Sequence, residues 1–107
     1  MSTAPKAEIL NIASLAAYQD GAVVSRQITK AEGGNVTLFA FDQGQELSEH
    51  TAPFDALLHV LEGEAEVSIS GRPFALKAGE AILLPADQPH AVKATKKFKM
   101  LLTMVHP

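Results

Sequence analysis

The sequence predicts an all-β protein, a barrel or sandwich of roughly eight or nine short strands. Apolar and β-branched residues recur in short runs, and Gly or Pro turns separate these runs about every 8–12 residues. No long segment has apolar residues at the ~3.6-residue spacing of a helix. With 107 residues, 47% of them hydrophobic and 20% charged, the chain is expected to form one domain.

The strands are expected to begin after about residue 20. Residues 1–7 are small and polar and are expected to be flexible. Ser14 is a suitable N-cap for a short helical turn over residues 15–17, which Asp20 and the following glycine would end. The domain spans residues 1–107, and its core is predicted over about residues 20–105.

Several strands carry apolar residues on both faces. Segment 64–70 alternates strictly, so only one of its faces is apolar. Segment 98–105 is apolar on both, so its second face must pack against something outside the barrel. A second subunit is the expected cover, since a monomer rarely exposes so much apolar surface. The strands are predicted within residues 22–28, 35–42, 56–63, 64–70, 72–85, 90–94 and 98–105.

Charge and residue usage exclude several classes of protein. The net charge is −3, and the cluster Lys96, Lys97 and Lys99 indicates a solvated strand edge, not a nucleic-acid surface. The absence of cysteine excludes disulfides, thiolate metal sites and thiol nucleophiles. The first residues lack a signal-peptide pattern, and the apolar runs are too short to cross a membrane. We therefore expect a soluble cytoplasmic protein with neither nucleic-acid nor membrane partners.

Two histidines lie in regularly spaced glycine and proline patterns. Gly44 precedes His50 by six positions, and the following strand ends at Gly63; residues 79–90 read G-x5-P-x4-H. These patterns resemble the two motifs of the cupin family, G-x5-H-x-H-x3-E-x6-G and G-x5-P-x-G-x2-H-x3-N. The resemblance covers about residues 20–105. It implies a double-stranded β-helix, or jelly roll, of the small bacterial type-2, RmlC-like kind.

The resemblance also implies a metal site of which half is missing. Cupins hold a divalent metal with two histidines and a glutamate from the first motif and a histidine from the second. By position, His50 and His90 are the first and last ligands, whereas Ala52 and Ala56 replace the other two. At most one Zn, Ni, Mn or Fe ion is expected, bound weakly, because catalytic sites usually keep three protein ligands.

The neighbouring residues offer one further candidate ligand and a pocket. His59 lies on the same strand, but strand alternation places it on the face opposite Ala56, so it is a less favoured ligand. Alanines in place of a carboxylate and an imidazole enlarge a cavity and make it apolar, as in small-molecule sites. The expected pocket lining is Ala52, Phe54, Ala56, Leu58, Val60, Val92 and Met100.

Three functions remain open. In the first, His50 and His90 orient a small acidic or carbonyl-bearing ligand in a binding or sensing protein. In the second, the chain is an enzyme: a metal on the two histidines acts as a Lewis acid in a dioxygenase-like reaction, or one histidine is the general base of an isomerase or epimerase. In the third, the barrel is structural or binds a partner, and no chemistry occurs. A homodimer is compatible with all three.

Overall fold

Nine strands form two antiparallel sheets in the computed structural model, which describes residues 3–106. The five-stranded sheet has the order β1-β2-β9-β4-β7, and the four-stranded sheet has the order β3-β8-β5-β6. The predicted all-β jelly roll is therefore confirmed. The strands are β1 Val23–Ala31, β2 Gly34–Phe41, β3 Glu46–His50, β4 Ala56–Glu62, β5 Glu64–Ile69, β6 Arg72–Lys77, β7 Ala81–Leu84, β8 His90–Lys93 and β9 Phe98–Val105.

The hydrophobic core lies between the inward faces of the two sheets. Phe41 and Phe98 stack at its centre with their ring centroids 4.5 Å apart. Val67 from the strictly alternating segment is fully buried against them, together with Val60 and Met100 of the opposite sheet. Inward and outward side chains alternate along β5 as predicted, because successive residues of a strand point to opposite faces.

The chain's own N-terminal segment covers part of the outer face of the five-stranded sheet. Leu38 and Ala40 of β2 are fully buried there beneath Ala16, and Leu101 of β9 packs against the same cluster. The second apolar face of segment 98–105 was expected to meet another subunit. Over the β2 end of this face, the covering residues instead come from the same chain.

The helical turn of this segment differs from the prediction. It is a 3₁₀ helix over Ile12–Leu15, which begins before Ser14. The Ser14 hydroxyl donates to the Asn11 carbonyl and so lies inside the turn it was expected to cap. Within residues 3–106, no helix is long and apolar enough to cross a membrane.

The predicted flexible segment, residues 1–7, is only partly described. Residues 1 and 2 lie outside the described part of the chain. The N–H of Ala4 donates to the carbonyl of Ile28 at 2.9 Å, and the Ala4 side chain is buried. Ala4 therefore contacts β1.

A buried lysine fastens the N-terminal segment to the barrel. Lys99 is only 8% exposed, and its ammonium donates to the carbonyl of Ala13 and lies 4.9 Å from the ring centroid of Tyr18. The Tyr18 hydroxyl donates to the Glu62 carboxylate at 2.7 Å. Burial raises the pKa of Tyr18 most, and the hydrogen bond to the Glu62 carboxylate raises it further. The prediction of a solvated edge is therefore wrong for Lys99.

Strand β3 was not predicted from the sequence. Glu46–His50 has four polar residues among its five and shows no apolar alternation. It becomes a strand because it pairs with β8, with Glu46 opposite Lys93 and His50 opposite His90. This pairing brings the two motif histidines together.

The Gly63→Ala variant tests the tight approach at the end of the first motif. Gly63 has φ +79°, and a Cβ atom there would overlap the carbonyl oxygen of Lys97 and lie 2.7 Å from the Cα of Phe98. We expect unfolding free energy to fall by at least about 3 kcal/mol, from left-handed strain and backbone overlap together. Urea denaturation measures the loss.

Gly44→Ala is the matched control. Gly44 has φ +85°, but no atom lies within 4 Å of the methyl group that alanine would add, so only the conformational strain of about 1–2 kcal/mol remains. Equal losses in the two variants would contradict the steric role assigned to Gly63.

Candidate functional site

The site is a pair of histidines at one end of the four-stranded sheet. His50 ends β3 and His90 begins β8, and the two residues are directly opposite in the antiparallel ladder. The ring centroids are 4.4 Å apart at an interplanar angle of 69°. The two Nε2 atoms are 3.1 Å apart. His90 shares its face with Val92 of the core, so the pair lies on the inward side of the sheet.

Backbone carbonyls fix the protonation of both rings. Nδ1 of His50 lies 2.7 Å from the carbonyl oxygen of Ser48, and Nδ1 of His90 lies 3.2 Å from that of Gln88. A carbonyl oxygen only accepts, so each Nδ1 must carry the hydrogen. In the neutral rings each Nε2 then presents a lone pair toward the other ring.

Two lone pairs that face each other at this distance repel, and a positive group or a hydrogen-bond donor between them relieves the repulsion. Two neutral rings in this tautomer cannot hydrogen-bond through their Nε2 atoms, because neither Nε2 carries a hydrogen. A shared proton, a metal ion or the donor group of a ligand satisfies both atoms. The pair is therefore a two-acceptor site.

The spacing suits two neighbouring ligands of one metal ion. With metal–nitrogen bonds of about 2.0–2.1 Å, adjacent nitrogen ligands lie roughly 2.9–3.4 Å apart, and the Nε2 atoms of His50 and His90 are 3.1 Å apart. Among residues 3–106, however, no group of three or more His, Cys, Asp or Glu side chains could hold an ion. The residues fit two positions of a coordination sphere, and the rest must come from water or a bound molecule.

Burial favours the neutral form of His90. The residue is 6% exposed, and loss of solvent lowers the pKa of its imidazole. The bond to the Gln88 carbonyl raises this pKa, and charge on His50 lowers it, but burial has the largest effect. The Nε2 lone pair of His90 is thus retained to a lower pH than in an exposed histidine, whereas His50 is exposed.

The two alanines at the absent ligand positions lie in different surroundings. Ala56 is buried on the inward face of β4, whereas Ala52 is half-buried in the loop before it. The carbonyl of Ala52 accepts from the N–H of Asp87 at 2.7 Å. This bond joins the loop of the first motif to the loop of the second.

The interior beneath the pair is filled and is not an open pocket. The predicted lining residues Leu58, Val60, Val92 and Met100 are each at most 2% exposed and belong to the core cluster. Their side chains pack against other apolar side chains of the core, so Leu58, Val60 and Met100 do not line an open pocket beneath the pair as predicted. Any bound molecule must lie at the mouth.

Two other predicted residues lie away from the pair. The ring of Phe54 packs on His106, with centroids 4.4 Å apart, so Phe54 does not line the site as predicted. His59 lies on the outer face of β4, in register with Ala81 and Leu101, and cannot reach the two Nε2 atoms. His59 is therefore not the third ligand.

Sequence reasoning missed the residues that orient the pair. Ser48 and Gln88 each stand two positions before their histidine and act through the backbone carbonyl. The sequence carries no signal for this role, because any residue at these positions supplies the same carbonyl. Asp55, which the sequence indicates as a local turn former, has a distant partner instead: its carboxylate accepts from the N–H of Ala86 at 2.8 Å and holds the two motif loops together.

The family model described as a cupin domain (Cupin 2) matches residues 37–106. The chain is similar to a polyketide synthase, CurC, of Streptomyces cyaneus, with 33% identity over 61 residues. That match covers 56% of this chain and 40% of the relative, so the chain spans less than half of the curated protein it matches.

Solved structures resemble the whole chain. A conserved protein of unknown function from Streptococcus pyogenes is 32% identical, with a TM-score of 0.91. The match covers 100% of this chain and 96% of that protein. A cupin superfamily protein from Desulfitobacterium hafniense is 26% identical, with a TM-score of 0.91 and coverage of 99% and 97%. A cupin 2 conserved barrel domain protein from Leptotrichia buccalis is 42% identical, with a TM-score of 0.87; the match covers 90% of this chain and 47% of that one.

The tautomers of the two rings are directly measurable. At pH 8 with EDTA, we expect nitrogen-15 spectra of labelled protein to show Nδ1 protonated and Nε2 unprotonated in both His50 and His90, because both Nδ1 atoms face carbonyl oxygens. The imidazole of His59 has no hydrogen bond within residues 3–106 and serves as the internal reference for an unconstrained ring. A protonated Nε2 in either paired ring would contradict the assignment.

Proposed function

The chain belongs to the cupin family, and on that premise we propose that it is a small-molecule-binding barrel whose ligand is held by Nε2 of His50 and His90, directly or through one divalent metal ion. The observation that supports this most is the convergence of the two Nε2 atoms at 3.1 Å while both Nδ1 atoms are committed to carbonyls. The pair thus presents two acceptors and no donor at the barrel mouth.

Each residue of the pair has a distinct part in binding. His90 is buried and anchored through Gln88, so it supplies a fixed lone pair, whereas the exposed His50 is the one that an incoming molecule meets first. A hydroxyl, amide or acid hydrogen of a ligand can be accepted by either nitrogen. A bound metal would supply positive charge to an oxygen of the ligand.

A purely structural pair would be arranged differently. A stabilising contact between two imidazoles places a hydrogen on one nitrogen and a lone pair on the other. Here the backbone carbonyls of Ser48 and Gln88 take the hydrogens of both rings and leave two lone pairs facing. This arrangement weakens the fold unless a proton, ion or ligand lies between the rings, which favours binding over a structural role.

An enzyme is the second candidate. The relative from Streptomyces cyaneus is named a polyketide synthase, and an exposed His50 with an unprotonated Nε2 could remove a proton from a bound molecule as general base. Loss of turnover in His50→Gln with retained ligand binding would favour this candidate. Loss of ligand binding in His50→Gln would instead favour the first candidate, a binding protein without catalysis.

We further propose a homodimer through the uncovered part of the five-stranded sheet's outer face. Leu57 and Leu83 are directly paired there and are 39% and 65% exposed. Val105 is 62% exposed on the neighbouring strand, and His59 lies half-buried beside them. A second copy would bury this apolar strip, which the N-terminal segment leaves uncovered.

Zinc titration tests the proposed function. Four-ligand zinc sites bind with about 10–16 kcal/mol, so two histidines should give roughly half, about 5–8 kcal/mol, or a Kd of about 1–200 μM. We expect one ion per chain, with shifts of both Nε2 signals, and at least a tenfold tighter Kd in Ala56→Glu, which restores a carboxylate on the inward face. Isothermal titration and nitrogen-15 spectra measure both.

Two variants serve as controls. His50→Ala should abolish zinc binding, and His59→Ala on the outer face should leave it unchanged. Nε2 signals of His50 and His90 that do not move at millimolar zinc would contradict binding through a metal ion and leave only direct binding of the ligand by the two nitrogens. So would equal zinc affinity in wild type and His50→Ala.

The dimer is tested by a charged substitution in the apolar strip. Leu83→Glu places a carboxylate opposite Leu57, and we expect light scattering to give the mass of a monomer where the wild type gives a dimer. Ile9→Glu is the control, because Ile9 is fully exposed outside this strip. A monomeric wild type would contradict the proposal.

A further inference from the structure

Four residues of the four-stranded sheet form one row at the barrel mouth. His50 is paired with His90, His90 with Ile69, and Ile69 with Arg72, across strands β3, β8, β5 and β6. Directly paired residues of antiparallel strands project to the same face. Since His90 and Ile69 project inward, Arg72 does so as well.

The register sets the distance between the histidine pair and Arg72. Neighbouring strands are about 4.8 Å apart, so the Cα atoms of His90 and Arg72 are separated by roughly 10 Å, with Ile69 between them. Arg72 was not singled out from the sequence, because it stands at a hairpin where an exposed arginine is common. Only the cross-strand row relates it to the histidines.

An apolar cavity of about 600 Å³ lies beside this row. Its walls come from both sheets, and its volume is in the range of small-molecule sites. Gln88 connects it to the histidine pair, because its backbone carbonyl accepts from His90 while its side chain lines the cavity and accepts from Ser70. The apolar lining residues are Ile69, Phe74, Ile82, Leu83 and Pro85.

The guanidinium of Arg72 lies at the cavity. Its Cζ lies 5.1 Å from the ring centroid of Phe74, which holds the side chain over the cavity. In the described part of the chain, the only ion pair joins Lys96 and Glu64, so the guanidinium has no carboxylate partner there. Arginine is always charged and binds carboxylates through two parallel hydrogen bonds.

We infer that Arg72 binds the carboxylate of the ligand whose other end is held by His50 and His90. This inference rests on the proposed function. The ligand class is a hydroxy acid: its hydroxyl donates to the unprotonated Nε2 atom of one of the two histidines, its carboxylate meets Arg72, and an apolar body about two strand spacings long lies over Ile69 and Phe74. Arg72 thus selects for charge, and the cavity selects for length.

Linear ω-hydroxyalkanoates of four to eight carbons are the probes. Isothermal titration at pH 7.5 in EDTA should show binding that strengthens with chain length, because more of the chain crosses the apolar wall. The alkan-1-ols of equal length lack the carboxylate and should bind at least tenfold more weakly. In Arg72→Gln, the affinity for each hydroxy acid should fall to the affinity for the alcohol of equal length.

Arg26→Gln is the matched control, since Arg26 is the second arginine of the chain and lies on β1, away from the row. It should bind the hydroxy acids like the wild type. Melting temperatures of both variants show whether the fold is kept. Arg72→Lys keeps the charge but not the paired hydrogen bonds, and it should recover only part of the affinity.

The outcomes separate this inference from the proposed function. Binding that needs His50 and His90 but is equal in wild type and Arg72→Gln overturns the role of Arg72 and leaves the histidine site standing. Failure of every chain length to bind at millimolar concentration also overturns it, while the zinc titration still reports on the pair. Binding that needs Arg72 but neither histidine overturns the two-ended ligand.

Discussion

The packing of two sheets around the Phe41–Phe98 stack is the constraint on which the rest of the barrel depends. Side chains alternate along each strand, so a slip of one residue would turn every core side chain outward. Val92 must therefore point into the core, and this fixes His90 on the same face two positions earlier. The site geometry is thus a consequence of core packing.

The histidine pair is oriented by backbone groups that the sheet leaves available at its end. Ser48 and Gln88 contribute carbonyls where β3 ends and β8 begins. A backbone carbonyl positions an imidazole without a further side chain, and it sets the tautomer as well. Loss of two family ligands at Ala52 and Ala56 therefore leaves an ordered acceptor pair.

Filling of the barrel interior moves binding to the mouth. Small side chains at the absent ligand positions were expected to open a cavity. Leu58 and Met100 instead fill the interior, because close packing stabilises a protein core more than an empty cavity does. The space that remains lies between the sheet edges next to Arg72. A shallow site with two polar ends and an apolar middle suits a small amphipathic molecule.

The sequence alone determined the all-β class, the turns and the two motif histidines, because strand alternation, Gly and Pro positions and motif spacing are local properties of the chain. Tertiary structure alone decided that the polar segment Glu46–His50 is a strand, that Lys99 is buried, and that Arg72 shares a row with His90. Each of these depends on a partner from a distant part of the sequence. Cross-strand register and burial come from the whole fold, and no local pattern encodes them.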